Sequence, residues 1–254
     1  MHNIRNTSAA LSALLLALAA GAADAQVVNG DFNGLSGWTT GGDAASVGGN
    51  HLVLTTASSS QQDDFDAGLA AGARNVSGND PLNAGYQIAP GAVILEDFFG
   101  VPLGSFDPDP ANGVVAVEGS GASQSFTAAA GSHLTFQWQL GTLDQRDPTT
   151  ADYAFVIIDG QVTRLGDAFL ASTANASADY AAQTGWLNWS TTFASGGTHT
   201  VSFGVVDVND GLDTSALSVS GVSLVSAVPE SSSLAMLAAG LGLLALQARR
   251  RRTR

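Results

Sequence analysis

Cysteine is absent from this 254-residue sequence, and so is lysine. Without thiols there is no disulfide, no thiolate metal site and no thiol nucleophile. All nine basic residues are arginines, and five of them stand in the last six positions. Arg5 lies near the start, so only Arg74, Arg146 and Arg164 serve residues 26–227. Of the 22 acidic residues only Asp24 and Glu230 fall outside that span, which leaves 20 carboxylates against three arginines, a net charge of −17. Such a body repels nucleic acid and anionic lipid, so no nucleic-acid partner is expected. Catalytic signatures are missing as well. There is no G-x-S-x-G elbow, no H-E-x-x-H and no glycine-rich phosphate loop. The chain is therefore expected not to be an enzyme. A carboxylate pair for glycoside cleavage is the one catalytic arrangement that so acidic a composition leaves open.

The two ends read as addresses. Residues 1–25 hold Arg5, an apolar run over 9–20 and the small-x-small triplet Ala23-Asp24-Ala25. That order predicts a secretory signal peptide, with Gln26 opening the mature chain. At the other end, residues 234–248 carry no charge and precede Arg249, Arg250, Arg251 and Arg252. Fifteen residues give about 22 Å of helix, short of a hydrocarbon core of about 30 Å. Serines before the run and snorkelling arginines after it extend the reach, so a transmembrane helix is expected over 232–248 with a basic tail over 249–254. The arginines orient it with the preceding body outside the membrane. Both ends thus predict one topology.

The tail resembles a known sorting signal. Val228, Pro229 and Glu230, then serines, an apolar helix and terminal arginines are similar to the PEP-CTERM signal, with Ser231 in place of the usual second proline. The resemblance implies a Gram-negative envelope and an exosortase-type processing enzyme as partner. It also implies transient anchoring in the inner membrane and cleavage near Pro229 and Glu230. The mature product would then sit at the cell surface or outside the cell.

Between the ends, period-two alternation dominates. In "HLTFQWQL" the residues Leu134, Phe136, Trp138 and Leu140 share one face, and His133, Thr135, Gln137 and Gln139 the other. Strands are expected at 27–32, 51–55, 92–98, 113–118, 123–127, 133–140, 152–158, 162–165, 187–193, 199–206 and 216–225. A hairpin turn is expected at Asp159-Gly160, and a short helix over 62–71. Eleven short strands predict an all-β, antiparallel two-sheet β-sandwich forming one domain over 26–225, followed by the sorting segment 226–254. "VVNGDFNGLSGWTT", "DYAFVIIDGQVTRLGDA" and "FGVVDVNDGLDTSALSVSGVSLV" resemble strands of secreted jelly-roll domains, relatives of galactose-binding-like and carbohydrate-binding modules.

In those relatives a calcium ion bridges the first and last strands. Here Asn33 and Ser220 stand where that pattern has carboxylates, which removes two charges from the implied site. The candidate Ca²⁺ ligands that remain are Asp31 with Asp207, Asp210 and Asp213. "DVNDGLD" has its glycine one place early for an EF-hand loop, and no glutamate closes it. No other cofactor is expected. Trp186 and Trp189 are the candidate glycan contacts. Their odd spacing puts them on opposite faces of a regular strand, so one should be exposed. The expected function is that of an exported, envelope-sorted surface or exopolysaccharide-matrix protein with a structural or adhesive role. The alternative is a carbohydrate-binding module that uses exposed aromatics. Mass spectrometry of the mature protein is expected to find an N-terminus at Gln26 and a C-terminus near Glu230. A product retaining Met1 or Arg254 contradicts the reading of the ends.

Overall fold

The computed structural model describes residues 26–87, 89–226, 236, 239–244, 247 and 249–251. The signal segment 1–25 and the motif residues Val228, Pro229 and Glu230 lie outside the described residues, as does Arg252. The described positions from 236 onward are helical. Among the described residues no helix is long and apolar enough to cross a membrane. Much of the span expected over 232–248 lies outside them.

The body is an antiparallel two-sheet sandwich, as the alternation predicts. Its strands are β1 (Thr39–Gly41), β2 (Asp43–Val47), β3 (His51–Thr55), β4 (Leu82–Asn83), β5 (Ala116–Ala128), β6 (His133–Thr142), β7 (Tyr153–Ile158), β8 (Gln161–Asp167), β9 (Ala182–Gln183), β10 (Leu187–Thr192), β11 (Gly197–Val208) and β12 (Ser215–Val225). One sheet, here sheet A, runs β1-β5-β11-β7-β8, with β4 pairing beside β1 on β5. Sheet B runs β10-β6-β12-β3-β2, with β9 pairing beside β10 on β6.

The inner faces meet in one apolar layer. Sheet A contributes Ala122, Phe126, Val156, Val201, Phe203 and Val205; sheet B contributes Leu52, Leu54, Leu134, Phe136, Leu140 and Leu217. Phe203 packs edge-on against Phe136 across the layer, with centroids 4.8 Å apart. Trp38 leans on Phe203 from one side and on Phe32 from the other. Trp38 and Trp138 are core residues, 8% and 4% exposed.

Sheet A is covered on its outer face too. Residues 84–116, with the short helix α1 (Leu95–Phe99), lay Leu95, Phe99 and Phe106 against Tyr153, Phe155, Ile157 and Val206. Eight consecutive residues of β11 are buried for this reason, so burial there does not follow the alternation of its sequence. Two glycines make room for the aromatic layer. A Cβ on Gly121 would lie 2.1 Å from the Phe99 ring, and one on Gly204 would lie 2.2 Å from the Phe155 ring.

Several sequence expectations need correction. Residues 27–32 form turns rather than a strand, with Asn29 and Phe32 at positive φ. Residues 92–98 lead into α1 rather than a strand, because Glu96 and the aromatics pack on sheet A instead of pairing with an edge. The spans 113–118 and 123–127 belong mostly to one long strand, β5. Residues 62–71 form turns, not a helix. The Asp159-Gly160 hairpin is as expected, with both residues at positive φ. The inter-sheet layer yields a stability prediction. Phe203→Ala is expected to cost about 3–5 kcal/mol, read by urea unfolding, whereas Ser218→Ala on the outer face of sheet B should stay within about 0.5 kcal/mol.

Candidate functional site

Among the described residues, the outer face of sheet B over β6, β10 and β12 carries polar side chains in place of an aromatic layer like that over sheet A, although Tyr180 covers Gly141 at one end. On β6 the apolar side chains point inward, which leaves His133, Thr135, Gln137 and Gln139 outside. The registers place Asn188 beside Gln137 on one flank, and Ser220 beside Gln137 and Ser218 beside Gln139 on the other. Gln137 Nε2 donates to Asn188 Oδ1 at 3.2 Å, and Gln139 Nε2 donates to Gln183 Oε1 at 2.9 Å. A groove of about 420 Å³ follows β6 and β10 between His133, Thr135, Gln137, Asn188 and Ser190, and ends at Gly221 where β12 bulges. No carboxylate lines it, although the body around it is strongly acidic.

Trp186 immediately precedes β10 and lies two residues from Asn188, which puts both on the outer face. Its ring lies 5.0 Å from that of His51 on β3. β6 and β12 separate these strands, a distance of about 14 Å at ordinary strand spacing. The two side chains therefore reach toward each other above β12, where Ser218 and Ser220 are short enough to let them meet. Trp186 remains 42% exposed. Trp189 faces the other way: it stacks on Phe136, its cross-strand partner, at 4.9 Å and is half-buried. Of the two candidate glycan contacts, Trp186 offers an open ring face and Trp189 holds the edge of the core.

At one end of the sandwich the carboxylates gather. Asp207 of β11 is the direct cross-strand partner of Glu118 on β5. Asp152 Oδ1 accepts the Val208 N–H at 3.0 Å, and Asp144 Oδ2 accepts the Asp152 N–H at 2.9 Å. Asp207 Oδ1 accepts the Gly211 N–H, and Asp64 Oδ1 the Thr214 N–H, each at 2.9 Å. Burial, with carboxylate neighbours adding to it, drives the carboxyl groups upward. Glu118 is pushed up to about 7 by burial and then by Asp63 and Asp80. Asp144 and Asp213 rise to about 6, also mainly through burial. Asp152 and Asp207 are raised well above the usual range by burial, and then by each other's neighbourhood: Asp207 and Asp144 act on Asp152, and Glu118 acts on Asp207.

The sequence-predicted calcium ligands are divided by this geometry. Asp207, Asp210 and Asp213 belong to the carboxylate end, where β12 begins. Asp31 is exposed and sits next to Gly30, whose carbonyl accepts the Val222 N–H near the far end of β12. The eight residues from Ser215 to Val222 separate them by roughly 20 Å. Sequence reasoning missed Asp144 and Asp152, because no local motif links them to 207–213; only the strand pairing does. Among the described residues no three carboxylate or histidine side chains are gathered closely enough to hold a metal ion as they stand.

The histidines have structural partners. His199 Nδ1 pairs with Asp159 at 2.6 Å, and its Nε2 lies 3.2 Å from the Ser195 carbonyl. His133 Nδ1 pairs with the Thr192 hydroxyl.

No family model matches the chain, and no curated protein matches it. Among solved structures the chain is similar to the module TmCBM61, solved in complex with β-1,4-galactotriose. That likeness has 12% identity over 81% of this chain and 100% of the other, with a TM-score of 0.34. It is also similar to a family 35 carbohydrate binding module from an environmental isolate, at 21% identity over 43% of this chain and 72% of the other, with a TM-score of 0.25. Both likenesses are distant.

The raised carboxyl groups set the pH response. In the folded state they hold protons that the unfolded chain has already released, so they favour folding below about pH 4 and cease to do so as pH rises through 6–7. With chelator present, the melting temperature is expected to fall between pH 4.5 and 7.5. Glu118→Gln should flatten that fall and raise the melting temperature at pH 7.5. A melting temperature that climbs across this range contradicts the assignment.

Proposed function

We propose that the protein binds carbohydrate without acting on it, and that the binding surface is the outer face of sheet B around Trp186. The observation that carries this reading is an exposed indole beside a groove lined by amides and hydroxyls, with no carboxylate in that lining. A pyranose ring has an apolar face of C–H groups and an equatorial rim of hydroxyls. The indole matches the first, and Gln137, Asn188 and Ser190, each able to donate and accept, match the second. The groove is open rather than enclosed, which suits a segment of a polysaccharide chain better than a buried small molecule. Gln137 and Gln139 are held by neighbouring amides, so their orientation is set before a ligand arrives, which lowers the cost of ordering.

The protein is a non-enzyme in this reading, exported to the envelope and retained for a time by its C-terminal segment. Its sugar ligand belongs to the cell surface or the surrounding matrix. The signal-like N-terminus and the PEP-CTERM-like tail support that location, and an exosortase-type enzyme is the processing partner they imply. A structural or adhesive role in the matrix follows if the bound polymer is the cell's own.

Isothermal titration against a panel of soluble polysaccharides tests the proposal. Binding to at least one polymer is expected, with Trp186→Ala weakening it by roughly tenfold or more, the equivalent of about 1.5–3 kcal/mol of buried aromatic surface. Trp189→Phe should retain affinity. Absence of binding across the panel, or full affinity in Trp186→Ala, overturns the reading.

A further inference from the structure

Among the described residues, the buried side-chain atoms left without a hydrogen-bond partner are Asp64 Oδ2, Asp152 Oδ2, Thr214 Oγ1 and Arg74 Nε. The three oxygens all lie at the carboxylate end of the sandwich. They are linked through the structure: Asp64 holds the Thr214 N–H, the Thr214 carbonyl accepts the Leu143 N–H, and Asp144 holds the Asp152 N–H. Asp64, Asp152 and Thr214 are each 1% exposed. The hydroxyl of Ser215 lies near Asp152, yet its hydrogen bond runs to Thr142 Oγ1 at 2.8 Å, which leaves Asp152 Oδ2 unserved.

An unpartnered buried carboxylate oxygen is costly, and a buried anion without a counter-charge costs more. The charged groups that act on Asp152 are Asp207 and Asp144, and those that act on Asp207 are Glu118, Asp210 and Asp144. All are acidic. Of the three arginines in the body, Arg74 pairs with Asp179, Arg164 pairs with Asp167 and Arg146 donates to the Ala171 carbonyl. The corner is thus built of hard oxygens, and the body's three arginines make their hydrogen bonds elsewhere.

We propose that this corner binds one divalent cation, of the calcium class, between Asp152 and Asp207 with Asp144 beside them. Hard oxygens of mixed kind suit calcium, which accepts carboxylates, carbonyls and hydroxyls in a flexible shell. As the side chains stand, no three acidic groups surround one point. Binding therefore draws Asp144 or Asp207 inward and completes the shell with neighbouring carbonyl or hydroxyl oxygens. The site is separate from the face of sheet B, and its role is to tie the turn 208–214 to the strands β7 and β11. Asp31 takes no part in it.

The test uses the purified protein, stripped with EDTA and then returned to calcium chloride. Calcium in hundredfold excess over its Kd is expected to raise the melting temperature by roughly 5–10 °C, with one ion per chain by titration calorimetry. Asp152→Asn should melt higher than the wild type when both are metal-free, because a buried repulsion is gone, and should show no calcium shift. Asp31→Asn should keep the full shift. Elemental analysis of wild-type protein purified without chelator gives a reading that no variant can compromise, and one bound calcium per chain is expected. No melting shift and no bound metal in the wild type overturn the proposal. So does a calcium shift that survives in both Asp152→Asn and Asp207→Asn, since the ion would then lie elsewhere.

Discussion

Phe203 on β11 meets Phe136 on β6 edge-on, with Trp38 leaning in from the side, and through this contact the two sheets share one apolar layer. Each sheet must bury at least one face, and here they bury them against each other. What remains is two outer faces, which the chain treats differently. Over sheet A it lays α1 and an aromatic cluster, made possible by glycines at 121 and 204. Over sheet B, among the described residues, it covers one end, where Tyr180 lies on Gly141, and leaves the amides of β6 and β10 open. The exposure of the amide and hydroxyl surface on β6, β10 and β12 follows from that asymmetry.

Charge is distributed just as unevenly. The acidic side chains that burial raises most are concentrated where β11 ends and β12 begins, while the groove on sheet B has none. A surface without carboxylates is what a sugar hydroxyl array, or a polymer that carries its own negative charge, would meet with least repulsion. The buried corner has the opposite character: oxygens are crowded together and the nearest charges share one sign. The cation corner and the sugar groove proposed above share no residues.

The alternation in "HLTFQWQL" was sufficient to assign β6, its inward face and its outward amides, and the odd spacing of Trp186 and Trp189 was sufficient to separate their roles. The two-sheet sandwich followed from many such segments. Illegible were the features that depend on pairing between distant segments. β11 was legible as a strand over 199–206, but its burial on both sides was not, and α1 reads as apolar strand because its aromatics serve the outer layer of sheet A. β1, β2, β4 and β9 are too short or too rich in glycine and small residues to announce themselves. The carboxylate corner joins residues 64, 144, 152 and 207, which no window of sequence could unite. The Trp186–His51 contact likewise spans four strands of sheet B, and only the strand order reveals it.

The account stands on the outer face of sheet B being the surface that meets polysaccharide. Nuclear magnetic resonance of the isotopically labelled protein, titrated with the polymer it binds, reads that surface directly. The indole N–H of Trp186 and the side-chain amides of Gln137 and Asn188 should shift together and saturably, while the amides of α1 and of β8 stay in place. Shifts confined to the α1 side of sheet A, or a Trp186 indole signal unmoved at saturation, would contradict it.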